Sequence, residues 1–227
     1  MKLLAIDTTE AACSAALLVD HEVSERFQIA PRRHSELILP MMDALLHEAG
    51  FSLSQLDALA FARGPGSFTG VRIAAAVIQG AATAADLPVV PVSSLLALAQ
   101  GAMRGADAHQ VLAGFDARMH EVYWAACTRG GDGLATMSTP EQVCAPEAVP
   151  VPADGGWVGV GSAWESYAEP LLWRLQDRVI AREPTAMVHA QDVAQLARAE
   201  LACGRGLPAE RALPVYLRDQ VARKMRG

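Results

Sequence analysis

With 227 residues, 52% of them apolar, the chain suits one large domain or two small ones, and its net charge of −6 speaks against gripping a polyanion unaided. Cys13, Cys127, Cys144 and Cys203 are far apart and form no C-x-x-C pair, which predicts reduced thiols and a cytoplasmic location. Met1-Lys2 leads straight into Leu3-Leu4-Ala5-Ile6, too short for an export signal.

Lys2 to Thr9 reads as a buried strand, and Cys13 to Val19 and Val23 to Ile29 as two more, joined at Asp20-His21 into an antiparallel meander. Asp7, Thr8 and Thr9 close the first strand. Either the carboxylate holds a hydrated cation while the hydroxyls face a phosphate, or it accepts backbone N–H bonds in an Asx-turn. After the connector Pro31 to Ser35, Leu37, Ile38, Met41, Leu45, Leu46 and Ala49 recur at helical spacing up to Gly50, giving an amphipathic helix with a glycine stop. Pro40 either kinks that helix or marks its start, and the adjacent Met41 and Met42 widen its apolar surface.

The apolar run Leu56 to Ala62 then opens into Arg63-Gly64-Pro65-Gly66-Ser67-Phe68-Thr69-Gly70, a strand, glycine-rich turn and helix start. Ser67 or Thr69 can cap the helix. The turn has two readings: unpaired N–H groups beside a positive helix end that hold an anion, or a tight corner and nothing more. Sharper motifs miss. A P-loop lacks its lysine, the dinucleotide pattern G-x-G-x-x-G has Thr69 where its third glycine belongs, and a nucleophile elbow would need glycines at Pro65 and Thr69. Val71 to Ala85 is rich in alanine, with Arg72 its one charge, so it has almost no polar face. Such a helix is buried on more than one side, and the series Ala76, Gly80, Ala84 lets a second backbone approach. Arg72, Gln79 and Thr83 interrupt it and Asp86 and Pro88 end it, so no membrane span is expected.

Val89 to Val92 completes a strand-helix-strand unit of right-handed parallel hand, and Ser93-Ser94 caps a helix from Leu95 to Met103. Residues 1–104 therefore read as a ribonuclease H-like lobe, with a boundary between Gly101 and His109. Residues 105–227 form a smaller second lobe. Its first strand, Val111 to Phe115, ends in Asp116-Ala117-Arg118 and is followed by an alternating strand, Glu121 to Cys127. Asp116 thus stands where Asp7 stands in the first lobe, either as a site carboxylate or in a local turn with an exposed ion pair. Gly130 to Gly156 reads mostly as loop. Trp157 to Gly161 is a strand leading to a helix around Trp164 to Leu175, Val188 to Cys203 another helix, and Pro214 to Arg218 a short extended segment. The one basic cluster is the tail, Arg218, Arg223, Lys224 and Arg226. Taken together, the expectation is an α/β protein of actin-like ATPase plan, two lobes with mixed sheets flanked by helices.

Lys2 to Thr9, Arg63 to Arg72 (RGPGSFTGVR), Asp116 to Met119 with Glu121 to Trp124, and Pro214 to Arg218 (PVYLR) resemble the bacterial TsaB (YeaZ) family along the whole chain. The glycine turn is shared with the larger paralogue TsaD, whereas the Asp116 block and PVYLR point to TsaB. The resemblance implies an accessory, non-catalytic subunit in making threonylcarbamoyladenosine beside the tRNA anticodon, with TsaD carrying the transferase site. It implies a TsaD-like partner and a TsaE-like ATPase in one complex, a homodimer when alone, and tRNA contact only through the complex. It also places docking on two helices, here at Leu37, Met41, Met42, Leu45, Ile73, Ala76, Val77, Gly80 and Ala84. The metal-binding H-x-x-x-H of TsaD corresponds to Ser94 and Leu98, neither of which binds a transition metal as imidazole does, so no metal and no required cofactor is expected in this chain. Nucleotide, as ATP or ADP with magnesium, is expected at most at the partner boundary, facing Asp7, Thr8, Thr9, Gly64, Gly66, Ser67, Thr69 and Asp116. The competing reading from the same residues is a stand-alone ATP-binding phosphotransferase or ATPase of the actin-like fold.

Overall fold

The computed structural model describes residues 1–218, so Arg223, Lys224 and Arg226 of the basic tail lie outside the described residues. The chain opens with the meander β1 (Lys2–Asp7), β2 (Ala12–Val19) and β3 (Glu22–Ile29). Helix α1 (His34–Ala49) follows, then β4 (Ala58–Ala62), α2 (Phe68–Ala85), β5 (Val89–Val92) and α3 (Ser94–Gly105). The five strands form a sheet in the order β3-β2-β1-β4-β5, antiparallel through β1 to β3 and parallel through β1, β4 and β5. Pro40 lies inside α1, which begins before it at His34, and Gly50 ends the helix with φ +70°, a left-handed stop.

The second half repeats the plan. Strands β6 (Gln110–Arg118), β7 (Glu121–Arg129), β8 (Ala135–Met137) and β9 (Gln142–Cys144) are antiparallel, and β10 (Trp157–Val160) and β11 (Val179–Glu183) run parallel beside β6. Short helices α4 (Ala163–Ser166) and α5 (Ala168–Leu175) lie between β10 and β11, and α6 (Ala190–Ala202) follows. The sheet order β11-β10-β6-β7-β8 matches that of the first sheet read from its other edge. Two expectations change here: the stretch 130–156 contains β8 and β9 as well as loop, and the helix expected over Trp164 to Leu175 breaks at Tyr167. Strand β11, for which the sequence offers no reading, is an edge strand with no burial alternation.

Alternation along the strands sends residues to opposite faces and builds three apolar layers. Leu3 and Ala5 face inward, toward α3, α6 and the second sheet, whereas Leu4 and Ile6 face outward under α1 and α2. Trp124 and Trp164 fill the outer layer of the second sheet. The stack is therefore helices, sheet, helices, sheet, helices. Its middle helices are shared: α3 precedes position 105 and packs on β6, while α6 comes from the second half and packs on β1, β2, β4 and β5.

Candidate functional site

The glycine turn is built around the end of β1. Ser67 N–H donates to the Thr9 carbonyl at 2.7 Å, and the Thr8 hydroxyl donates to the Gly70 carbonyl at 2.7 Å. A Cβ on Gly66 would stand 2.5 Å from the Thr9 oxygen, and one on Gly70 2.0 Å from the Thr8 oxygen. Glycine is required at both because two backbones meet there. Ser67 caps α2 by accepting from Gly70 N–H at 3.1 Å. The geometry builds the close-packed corner, with the Ser67 N–H committed to Thr9.

The end of β1 is buried, its carboxylate included. Asp7, Thr8 and Thr9 are each 0% exposed. Asp7 Oδ1 accepts from Thr9 N–H at 3.2 Å and from the Thr9 hydroxyl at 2.6 Å, an Asx-turn, while Oδ2 has no hydrogen-bond partner. Burial pushes the Asp7 carboxyl up to about 7 against the pull of the Thr9 hydrogen bonds. The expectation that these three residues face a nucleotide is thus corrected: all three are buried, and the turn that was to cradle phosphate lies directly on Thr8 and Thr9. Gly64 is also buried, donating its N–H to Ser94 Oγ at 3.2 Å, and Thr69 is exposed on the outer side of the helix start. Ser94 and Leu98, at the positions that the resemblance aligns with a metal pair, are both buried in α3.

Gly66, Ser67 and Asp116 do come together, in a cleft of about 890 Å³ between the lobes. Asp116 accepts from Arg118 N–H at 2.8 Å, from the Arg118 guanidinium at 2.9 Å and from the Tyr167 hydroxyl at 3.1 Å, so its local-turn reading holds within the cleft wall. Across from it, the Glu10 carboxyl accepts from the Ser162 hydroxyl at 3.2 Å and is pushed up to about 7, chiefly by burial. Phe68, Arg72, Tyr216 and Arg218 complete the walls. The extended Pro214 to Arg218 segment spans the lobes. Val215 N–H donates to the Arg63 carbonyl at 2.9 Å, and Arg218 pairs with Glu121 and donates to the Ala117 carbonyl at 3.2 Å. The sequence marked Tyr216 only as part of a motif and Arg218 as part of that motif and of the basic tail, and nothing local distinguished Glu10 or Phe68 as cleft residues.

A second concavity lies between α1 and α2. Ala74, Ala75, Ile78 and Ala82 of α2 turn to the sheet, whereas Ala76, Gly80 and Ala84 are exposed. By length and mean hydropathy α2 could cross a membrane; 33% of that stretch is buried, and its inward face packs on the first sheet. The open side forms an apolar groove of about 740 Å³ with Leu39, Leu46 and Phe51 beside Ala76, Val77 and Gly80. A Cβ on Gly80 would meet nothing within 4 Å. Leu45, 2% exposed, belongs to the core beneath α1 with Ile38, and Met42, 4% exposed, touches the groove only at its floor. These two are corrected from surface to core because they share the inward stripe of the helix. Leu37, Met41 and Ile73 are half-buried against the same core. Leu39, Leu46 and Phe51, missing from the expected interface, carry the groove's large apolar surface.

Two ribonuclease H-like halves that face each other across a cleft define a two-lobed protein of the actin-like fold. The family model "TsaD: tRNA N6-adenosine threonylcarbamoyltransferase" matches residues 26–222. The tRNA threonylcarbamoyladenosine biosynthesis protein TsaB of Escherichia coli is 43% identical over 227 residues, covering 99% of this chain and 97% of that protein. Its counterpart in Haemophilus influenzae is 39% identical over 99% of this chain and 96% of its own length. The solved structure of YeaZ from Pseudomonas aeruginosa superposes with a TM-score of 0.88 at 46% identity, covering 95% of this chain and 99% of that one. The chain belongs to the TsaB (YeaZ) family.

Proposed function

We propose that this chain acts in tRNA threonylcarbamoyladenosine biosynthesis as a non-catalytic subunit that docks a TsaD-like transferase on the α1–α2 groove and supports its site. The observation that carries the docking is the uncovered face of α2, where Ala76, Gly80 and Ala84 leave an apolar surface open beside Leu39 and Phe51. A single apolar surface of this kind is buried when a complementary helix is laid into it. The names of the TsaB relatives support the pathway, and the match to the TsaD family model supports a related fold for the partner.

The finer parts of the reading follow from the same surface. In isolation the groove is covered by a second copy, giving a homodimer that the transferase displaces. A TsaE-like ATPase joins the same cytoplasmic complex, and tRNA is held by the assembly, since the chain itself is acidic. No cofactor is required by this chain, and any ATP or ADP with magnesium sits at the boundary with the partner. A stand-alone ATPase or phosphotransferase is not favoured, because it needs Asp7 and Thr8 open to the nucleotide and both are sealed.

The test is to mix the purified chain with the transferase subunit, measure the mass of the product by light scattering, and reconstitute tRNA modification with and without the chain. A stable heteromeric complex and a drop in modification without the chain are expected. Separate elution of the two, or full modification in its absence, refutes the proposal.

A further inference from the structure

The cleft between the lobes holds a cation that has no carboxylate within ion-pair distance among the described residues. Arg72, on the second turn of α2, has its guanidinium carbon 3.2 Å from the centre of the Phe68 ring and 5.3 Å from that of Tyr216. The other arginines of the cleft are occupied, Arg118 by Asp116 and Arg218 by Glu121 and a backbone carbonyl. Stacking on an aromatic face orients a guanidinium without using its N–H donors, so Arg72 stands ready for an anion with little further loss of side-chain freedom. Phe68 and Tyr216 are themselves 57% and 45% exposed, large planar surfaces left uncovered beside that cation.

The opposite wall offers hydrogen bonds. The Ser162 hydroxyl bonds the Glu10 carboxyl, which burial pushes up to about 7, so that part of it is protonated at neutral pH; of the other acids lining the cleft, Asp116 is paired with Arg118 and Glu165 stands at the rim with Ser166. The space, about 890 Å³, lies within the range of small-molecule sites. We propose that this cleft binds an anion carried on a nucleoside, the anion on the Arg72 guanidinium and the base against the Phe68 and Tyr216 rings. The inference rests on the proposed role and deepens it, because threonylcarbamoyladenosine is a nucleoside that bears a carboxylate. A phosphate on the ribose presents the same chemistry, and experiment separates the two sources.

Calorimetric titration of the full chain uses four probes: the free nucleoside N6-threonylcarbamoyladenosine, AMP, adenosine and inorganic phosphate. Saturable binding of at least one of the first two is expected, with adenosine and phosphate roughly tenfold weaker or more, since a charge-assisted hydrogen bond is worth about that factor. Whichever of the two anionic nucleosides binds tighter identifies the source. Arg72→Gln lowers that affinity by about tenfold or more, and Arg72→Lys, which keeps the charge without the planar fork, falls between. Absence of saturable binding by both anionic nucleosides, equal binding of adenosine, or an Arg72→Gln variant that binds like the parent overturns the assignment. Light scattering with the transferase subunit separates this from the docking reading: a chain that forms the complex but binds no nucleoside loses only the cleft assignment, whereas one that forms no complex loses the docking.

Discussion

Gly80 stands midway along α2 on the open groove, and the space around its Cα makes opposite demands before and after assembly. In the monomer a side chain there meets nothing within 4 Å, so substitution removes the helix penalty of glycine, about 1 kcal/mol relative to alanine. For a chain of this size that corresponds to a rise in Tm of roughly 2–4 °C for Gly80→Ala, with Gly80→Arg no less stable than the parent. Against a docked helix the same arginine is an unpaired charge in a closed seam, which costs about 3–5 kcal/mol and weakens association by roughly a hundredfold to several thousandfold. Thermal unfolding by circular dichroism, at a concentration low enough that the chain is monomeric, reads the first effect, and titration against the transferase subunit followed by light scattering reads the second. Clear loss of monomer stability in Gly80→Arg, or parental affinity for the partner, refutes the assignment of this face.

Gly70→Ala places a Cβ 2.0 Å from the Thr8 oxygen, so the strand end and the helix start must separate; a loss of about 3 kcal/mol or more is expected in urea unfolding, or failure to fold. Arg104→Ala removes the two hydrogen bonds that the guanidinium gives Asp192, at 2.9 and 3.0 Å, and strands a carboxylate whose side chain is 1% exposed. Because Arg104 is itself 44% exposed, the cost is expected near ~2 kcal/mol, below that of a fully buried pair, and Arg104→Ala with Asp192→Asn should recover part of it. Asp7 titrates near 7 folded against 3.8 unfolded, so the folded state holds the extra proton between those values and the contribution is lost as pH rises through about 7. Stability measured from pH 4 to 8 should therefore fall for the parent relative to Asp7→Asn, by a few kcal/mol across the window; parallel pH profiles for the two proteins would contradict the buried, unpaired carboxylate.

Local signals carried the first lobe. The strand runs of β1 to β3, the glycine stop at Gly50 and the serine caps at Ser67 and Ser93 all rest on contacts between near neighbours, and such contacts leave a periodic or compositional trace. What escaped depends on distant parts of the chain. Gly66 and Gly70 come onto Thr9 and Thr8 from beyond β4, and Asp7 is buried on the sheet face that α6 covers; no spacing rule near Asp7 announces either. Apolar spacing identified α1 but not which of its leucines turn inward: Leu45 is core while Leu39, on the other side of the same helix, is 56% exposed. Strand β11 has Ile180 70% exposed and is held by backbone pairing to β10, so it carries no burial pattern to read. At Tyr167 the backbone leaves helical angles, and its hydroxyl reaches Asp116, a contact between residues 51 positions apart.

Helix α6 begins at Ala190 yet covers the inner face of a sheet whose strands are complete by Val92. During synthesis that sheet emerges early and its inward residues, Leu3, Ala5, Ala60 and Val90 among them, must wait for nearly the whole polypeptide to leave the ribosome before their cover arrives. A nascent chain halted before α6 therefore shows a naked greasy face to solvent, which makes holdase capture, rather than autonomous maturation of the leading half, the expected fate of incomplete translation products.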